Sequence, residues 1–317
     1  MVFANAGAVV VQTFTLAGSP LSAKQPYHPF LAFCDTLVFQ QTCELCNVLA
    51  LFIKSDILCS ICPAVLLALG LAGFTSFLGL CNGLVWVTLH VLVCVIIGVE
   101  EDRLVKPHRP IASRRITLDN AVLLHRGIVV ASLSFSARQH TLPLSIVYVM
   151  GTTAYNDGQL SRFWTLKSIM TGFGIAMCSW GTAICFTDGR PLSQKSYEAL
   201  FLFALLLTTT IHAQDFRDRV GDLVIGRRTL PIILPSAVAR WSLGLLILAW
   251  SVVLMRFWLP HAGVGVLLYA LGVTTAVLFL RNDTQEADQR SCAWYNLMPC
   301  STGELSDGSS EFFWTEV

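Results

Sequence analysis

Long apolar runs broken by short polar punctuation dominate this chain. The first clear run is Ile57–Phe77, entered through Lys54-Ser55-Asp56, and the second is Leu84–Val99. Asn120–Phe135 and Leu142–Tyr155 are shorter, the former interrupted by His125-Arg126. Leu166–Phe186, Tyr197–Ala213, Ala237–Trp258 and Gly263–Leu280 follow. Each approaches the roughly 20 residues a helix needs to cross the hydrocarbon layer. Phe30–Phe52 is mixed, holding Asp35, Gln40, Gln41 and Glu44, and is expected along the interface or at the mouth of a bundle. The pattern predicts an all-α, multi-helical integral membrane bundle of about eight to nine helices. Its expected organisation is an N-terminal arm and interfacial helix over 1–53, a transmembrane domain over 54–281 and a polar tail over 282–317. Met298–Val317 carries Glu304, Asp307, Glu311 and Glu316 and is too polar to span.

Composition agrees with a lipid setting. Hydrophobic residues make up 54% of the 317 and charged residues 13%, against about 25% in a soluble domain. The 21 basic and 20 acidic residues nearly cancel, which argues against a nucleic-acid partner. Many of the eleven cysteines, such as Cys59, Cys94, Cys178 and Cys185, sit inside apolar runs and read as small hydrophobes. Cys43-x-x-Cys46 and Cys59-x-x-Cys62 lack histidine neighbours and read the same way rather than as zinc ligands. Met1–Gly18 lacks a basic leading region and is expected to form a short cytosolic arm rather than a cleaved signal.

Chemistry concentrates at Gln214-Asp215-Phe216-Arg217-Asp218-Arg219-Val220-Gly221-Asp222, directly after an uncharged stretch. At about 100° per residue, Asp215, Asp218 and Asp222 share one helical face. Three acids that close repel unless a cation lies between them, and Mg²⁺ is the natural oxygen-preferring candidate. Mg²⁺ at carboxylates usually brings a phosphate. The competing view is that Arg217, Arg219, Arg227 and Arg228 merely solvate a loop at a helix end. That view accounts for charge there but not for a second acidic site.

The second site is Gly98-Val99-Glu100-Glu101-Asp102-Arg103-Leu104-Val105-Lys106-Pro107-His108-Arg109-Pro110. Both sites place acids at a helix end, then cations, then proline. Four apolar runs separate them, so both are expected on one membrane face. Basic residues collect on that face, which the positive-inside rule assigns to the cytosol. Acids with cations suit a diphosphate: Arg103, Lys106, Arg109 and Arg219 are candidates to neutralise it. Asp102, Glu101, Asp215, Asp218 and Asp222 are candidates to hold Mg²⁺. Departing diphosphate would leave an allylic cation, which a dry bundle protects from water. Phe173, Trp180, Phe186, Phe201 and Phe203 are candidate cation-facing rings.

At these residues the chain resembles the UbiA superfamily of intramembrane prenyltransferases. Asp215-x-x-Asp218-x-x-x-Asp222, followed by Gly-Arg-Arg-Thr-Leu-Pro, is similar to that family's second aspartate-rich motif. Asp102-Arg103-x-x-Lys106-Pro107-x-Arg109-Pro110-Ile111 resembles the end of its first. The resemblance runs from about Leu51 to Arg281. It implies a bundle of usually nine membrane helices around a central cavity for Mg²⁺-bound polyprenyl diphosphate. Two departures are plain: family members carry another membrane helix after a segment like Asp288–Asn296, where this chain has its polar tail, and the first motif is altered. The family's first motif reads Asn-Asp-x-x-Asp-x-x-x-Asp; here Asp102 takes the last place, while Cys94, Val95 and Gly98 take the earlier ones and Glu100 and Glu101 stand beside it. This altered form, with Leu51-Phe52-x-Lys54-Ser55-Asp56 and Tyr155-Asn156-Asp157, resembles a fungal branch of membrane-bound sesquiterpene cyclases. The resemblance implies cyclisation of farnesyl diphosphate, in secondary metabolism and in the endoplasmic reticulum membrane. Transfer of a polyprenyl group to an aromatic acceptor is the alternative.

Three smaller expectations complete the reading. His212, one turn before Asp215, either orients a carboxylate or removes a proton, or is simply polar. Tyr155-Asn156-Asp157 and Lys167 are placed on the face opposite the acid motifs if the fourth run fully crosses, forming a plain turn or, by the resemblance, a cap or gate. Asp56, with Lys54, is assigned to a helix start.

Overall fold

The computed structural model describes residues 42–73, 76–96, 106–224, 226–281 and 283–307. The chain divides into Met1–Cys46 and Asn47–Val317, and everything below lies in the second unit apart from the first residues of α1. Among the described residues the secondary structure is helical, apart from a single bridge pairing Phe163 with Arg228. The helices are α1 Thr42–Ile53, α2 Ile57–Ala72, α3 Phe77–Val95, α4 Leu118–Arg138, α5 Leu142–Asn156 and α6 Trp164–Phe186. They continue as α7 Gln194–Thr210, α8 His212–Val224, α9 Ser236–Trp258, α10 Ala262–Arg281 and α11 Gln285–Asp307. Six segments are long and apolar enough to cross a membrane, or seven if α1 and α2 form one bent span. The all-α membrane bundle expected from hydropathy is the architecture found.

Local signals set many of the boundaries. Ser76 Oγ accepts from Gly79 N at the start of α3, and Ser193 Oγ accepts from Ser196 N at the start of α7, satisfying otherwise orphaned amides. Pro143 sits in the first turn of α5, where no amide is missed, and Pro63 lies in α2 where a π-turn over Ile57–Ile61 gives way to the α-helical part from Cys62. The run Ile57–Phe77 is not one helix. It stops at Gly73, whose φ of +69° only glycine adopts cheaply. The run Tyr197–Ala213 grows instead into Gln194–Val224, with a break at Ile211 between α7 and α8. Leu142–Asn156 is 15 residues and too short to meet the spanning criterion alone.

The central helix is α6, which packs against α2, α3, α5 and α7. Small residues let the backbones approach: a Cβ on Gly181 would fall 2.1 Å from Trp86 Cη2, and one on Gly172 would fall 2.6 Å from the Thr208 amide nitrogen. Behind Trp86 lies a polar network joining α3, α4 and α5. Trp86 Nε1 donates to Ser136 Oγ and Thr141 Oγ1, at 3.0 and 2.8 Å. His90 pairs through Nδ1 with the Trp86 carbonyl and through Nε2 with Ser145 Oγ, which also meets Ser136 Oγ. All five side chains are buried.

The stretch from 282, expected as a polar tail, forms α11 from Gln285. It packs against α2, α8 and α10, with Tyr295 and Met298 fully buried. Its polar sequence has a structural use. Arg240 grips Asp288 through two hydrogen bonds of 2.7 and 2.9 Å, also donates to Asp283 and the Phe279 carbonyl, and stacks over Phe216 at 4.6 Å. This knot ties α9, α10 and α11 to α8.

Candidate active site

One cavity of about 590 Å³ opens among α2, α3, α5, α6 and α8. Its volume suits a small organic ligand. Charge is confined to one end. Asp215 and Asp218 come from α8, Arg217 from the same helix, Lys167 from the first turn of α6, and Lys106 and Arg109 from the segment before α4. Asp56, Arg162 and Arg227 also line it. Beyond these the lining is uncharged: Val91, Tyr148, Gly151, Met170, Phe173, Gly174, Met177 and Cys178. Val147, Ile169 and Phe173 line the cavity and are exposed, so its wall at α5 and α6 is not closed.

Helix α8 forms because Asp215, Asp218 and Asp222 share a face with apolar Phe216 buried behind them. The three acids are engaged. Lys167 Nζ donates to Asp215 Oδ1 at 2.6 Å and lies 3.5 Å from Asp222 Oδ2. Arg227 Nη1 donates to Asp222 Oδ1 at 3.0 Å. Arg217 grips both oxygens of Asp218 at 2.8 Å. Asp222 is fully buried behind this layer and is not part of the cavity lining. The mouth is strongly cationic: burial, followed by the charges of Lys54, Arg109 and Lys106, pulls the His108 imidazole below its ordinary value.

Several expectations change here. Lys167 and the Tyr155–Asp157 turn lie at the same mouth as the α8 acids, not on the opposite face. The physical reason is simple: α4 and α5 together carry the chain out and back. The Phe163–Arg228 bridge and a 3.1 Å bond from Asn156 Nδ2 to the Cys94 carbonyl hold them there. Arg219, a diphosphate candidate, points away and lies 3.5 Å from Asp283. His212 is buried outside the cavity lining. Of the five candidate rings, Phe173 lines the cavity. Phe186 and Phe203 are in the core, Trp180 packs edge-on against Tyr197, and Phe201 is exposed on the outside. Asp56 makes no side-chain cap for the helix it precedes and instead pairs with Arg109 at 2.8 Å. Glu101, Asp102 and Arg103 lie outside the described residues.

Sequence reasoning missed Lys167, Asp56, Arg162 and Tyr148 as lining residues. Lys167 left a usable signal, being a lone cation at the head of an uncharged run. Among the described residues no three acid, histidine or cysteine side chains converge on one metal position. Mg²⁺ in phosphate sites characteristically takes one or two carboxylates and completes its shell with phosphate and water, so Asp215 and Asp218 fit that chemistry without a closed cage.

The comparisons fit this geometry. Residues 57–298 match the model of the UbiA prenyltransferase family. The chain is 36% identical over 253 residues to the fumagillin β-trans-bergamotene synthase of Aspergillus fumigatus, covering 78% of this chain and 88% of that one. A solved UbiA homologue from Archaeoglobus fulgidus superposes with a TM-score of 0.59 at 15% identity, covering 81% of this chain and 97% of its own. The same homologue bound to GPP and Mg²⁺ gives 0.57 at 14% identity, covering 82% and 99%. With the acid-bearing α8, the cationic mouth and the apolar chamber in one bundle, the chain belongs to the UbiA prenyltransferase family.

Proposed function

We propose that this protein ionises farnesyl diphosphate and cyclises the resulting cation to a sesquiterpene. The observation that carries the reading is the division of one cavity into a charged mouth and an uncharged chamber. Similarity to a sesquiterpene synthase over most of the chain supports it.

Asp215 and Asp218 would hold Mg²⁺, which when bound neutralises the diphosphate and eases its departure. Lys167, Lys106, Arg109 and Arg227 supply further positive charge to phosphate oxygens. The C1–O bond breaks, and its electron pair leaves with the diphosphate. The chain's own double bonds then capture the allylic cation, and loss of a proton ends the sequence. The uncharged wall excludes water, and the face of Phe173 favours positive charge. The opening between α5 and α6 lets an isoprenoid tail enter from the bilayer while its headgroup stays at the mouth. We place the mouth on the cytosolic face of the endoplasmic reticulum membrane, on the strength of its basic residues, and the reaction in secondary metabolism.

Purified protein in detergent with farnesyl diphosphate and Mg²⁺ alone tests the reading. A hydrocarbon detected by gas chromatography and mass spectrometry supports it; turnover only after a phenol is added defeats it. The second outcome would favour prenyl transfer to an aromatic acceptor; the family's name carries prenyl transfer. Asp215→Asn with Asp218→Asn should abolish product in a chain that still folds, with a melt lowered by loss of the Lys167 and Arg217 pairs.

A further inference from the structure

The wall contributed by α3 has lost two ligand-capable positions. Cys94 and Val95 line the cavity where the resemblance places an amide and a carboxylate. Neither is an oxygen ligand for a hard cation. Among the described lining residues one carboxylate lies off α8: Asp56, from the turn between α1 and α2. It belongs to neither acidic motif. Its Oδ2 accepts from Arg109 Nη2 at 2.8 Å and from Ser55 Oγ at 3.0 Å. Its Oδ1 accepts from no described residue, and the side chain retains 16% exposure. A buried guanidinium thus fixes one oxygen and leaves the other available.

We propose that Asp56 ligates a divalent cation on the diphosphate, standing in for the acid that α3 lacks. The proposal rests on the diphosphate reading above. Because no three described ligands converge on one point, Asp56 and the α8 acids serve separate cations on one headgroup. A single carboxylate suffices when phosphate oxygens and water fill the remaining positions. Arg109, held by the same carboxylate, stays at the mouth beside the phosphate. One residue therefore supplies a ligand and aims a neighbouring cation.

The test uses the purified full chain with inorganic pyrophosphate as the probe and Mn²⁺ in place of Mg²⁺. Electron paramagnetic resonance counts bound Mn²⁺, and the melting temperature at fixed pyrophosphate gives the half-saturating Mg²⁺ concentration. Asp56→Asn preserves shape and an acceptor for Arg109. It is expected to raise that concentration at least tenfold and to lose one bound Mn²⁺, and Asp56→Glu should recover part of both. An unmoved Mg²⁺ requirement and Mn²⁺ count in Asp56→Asn overturn the proposal, as does the same loss appearing in Asp102→Asn instead. Failure of the wild-type chain to bind pyrophosphate with Mg²⁺ would instead remove the diphosphate reading beneath it.

Discussion

Replacing Lys167 by methionine probes the mouth most directly. The substitution keeps an apolar stem and removes the charge that lies 2.6 Å from Asp215 and 3.5 Å from Asp222. The side chains are 13%, 4% and 0% exposed, so water compensates little. Removing one partner of a buried pair costs about 3–5 kcal/mol. Arg227 still holds Asp222 at 3.0 Å, so Asp215 alone is stranded and the lower figure, about 3 kcal/mol, applies. Unfolding in detergent micelles, followed by circular dichroism in EDTA, measures it. Added Mg²⁺ should recover part of the loss in Lys167→Met, because the freed Asp215 regains a cation. The double variant with Asp215→Asn should be less destabilised than the sum of the singles, by about 1–3 kcal/mol. Strict additivity, or a single variant as stable as wild type, would refute the pairing. Turnover should also fall about 10- to 100-fold through loss of one charge-assisted bond to phosphate.

Three further outcomes are expected. Gly181→Ala puts a methyl into the Trp86 ring, 2.1 Å from Cη2, and overpacking of this kind should lower stability by about 1–3 kcal/mol in the same unfolding assay. Arg240→Met strands Asp288, whose side chain is fully buried, and should cost about 3–5 kcal/mol; a neutral result would mean the knot does not brace α8. The hydrogen bond from Arg240, with its charge and against the opposing effect of burial, holds the Asp283 carboxyl below its ordinary value. Its contribution is therefore complete above the ordinary carboxylate range and is lost as pH falls through the lower native value. Melting temperatures between pH 6 and 3 should fall less steeply in Asp283→Asn than in wild type.

The membrane bundle was legible because apolar runs near spanning length leave few alternatives, and α8 was legible because three acids recur on one face. Other features were hidden for specific reasons. Helix α11 looked like a tail because it buries Tyr295 and Met298 but spends polar residues on the Arg240 knot. Hydropathy sees the polarity and not the partner. Lys167 was misplaced by a miscount, since the third and fourth runs return the chain to the acid-bearing face, and Asp56 by treating a charge at a helix entrance as local. The Asp56 pairing concerns which distant segments meet, which no short window encodes. The aromatic candidates split four to one against the cavity because ring content says nothing about which side of a helix faces inward.

The Trp86–His90–Ser136–Thr141–Ser145 network has a mechanical consequence. Inside hydrocarbon a severed hydrogen bond finds no water to replace it. Sliding or turning α3, α4 or α5 against one another would orphan several groups at once. That side of the molecule behaves as a fixed anvil. Variants that retune which skeleton is made should therefore change lining side chains such as Val91, Gly151 or Phe173 and leave the five network residues untouched.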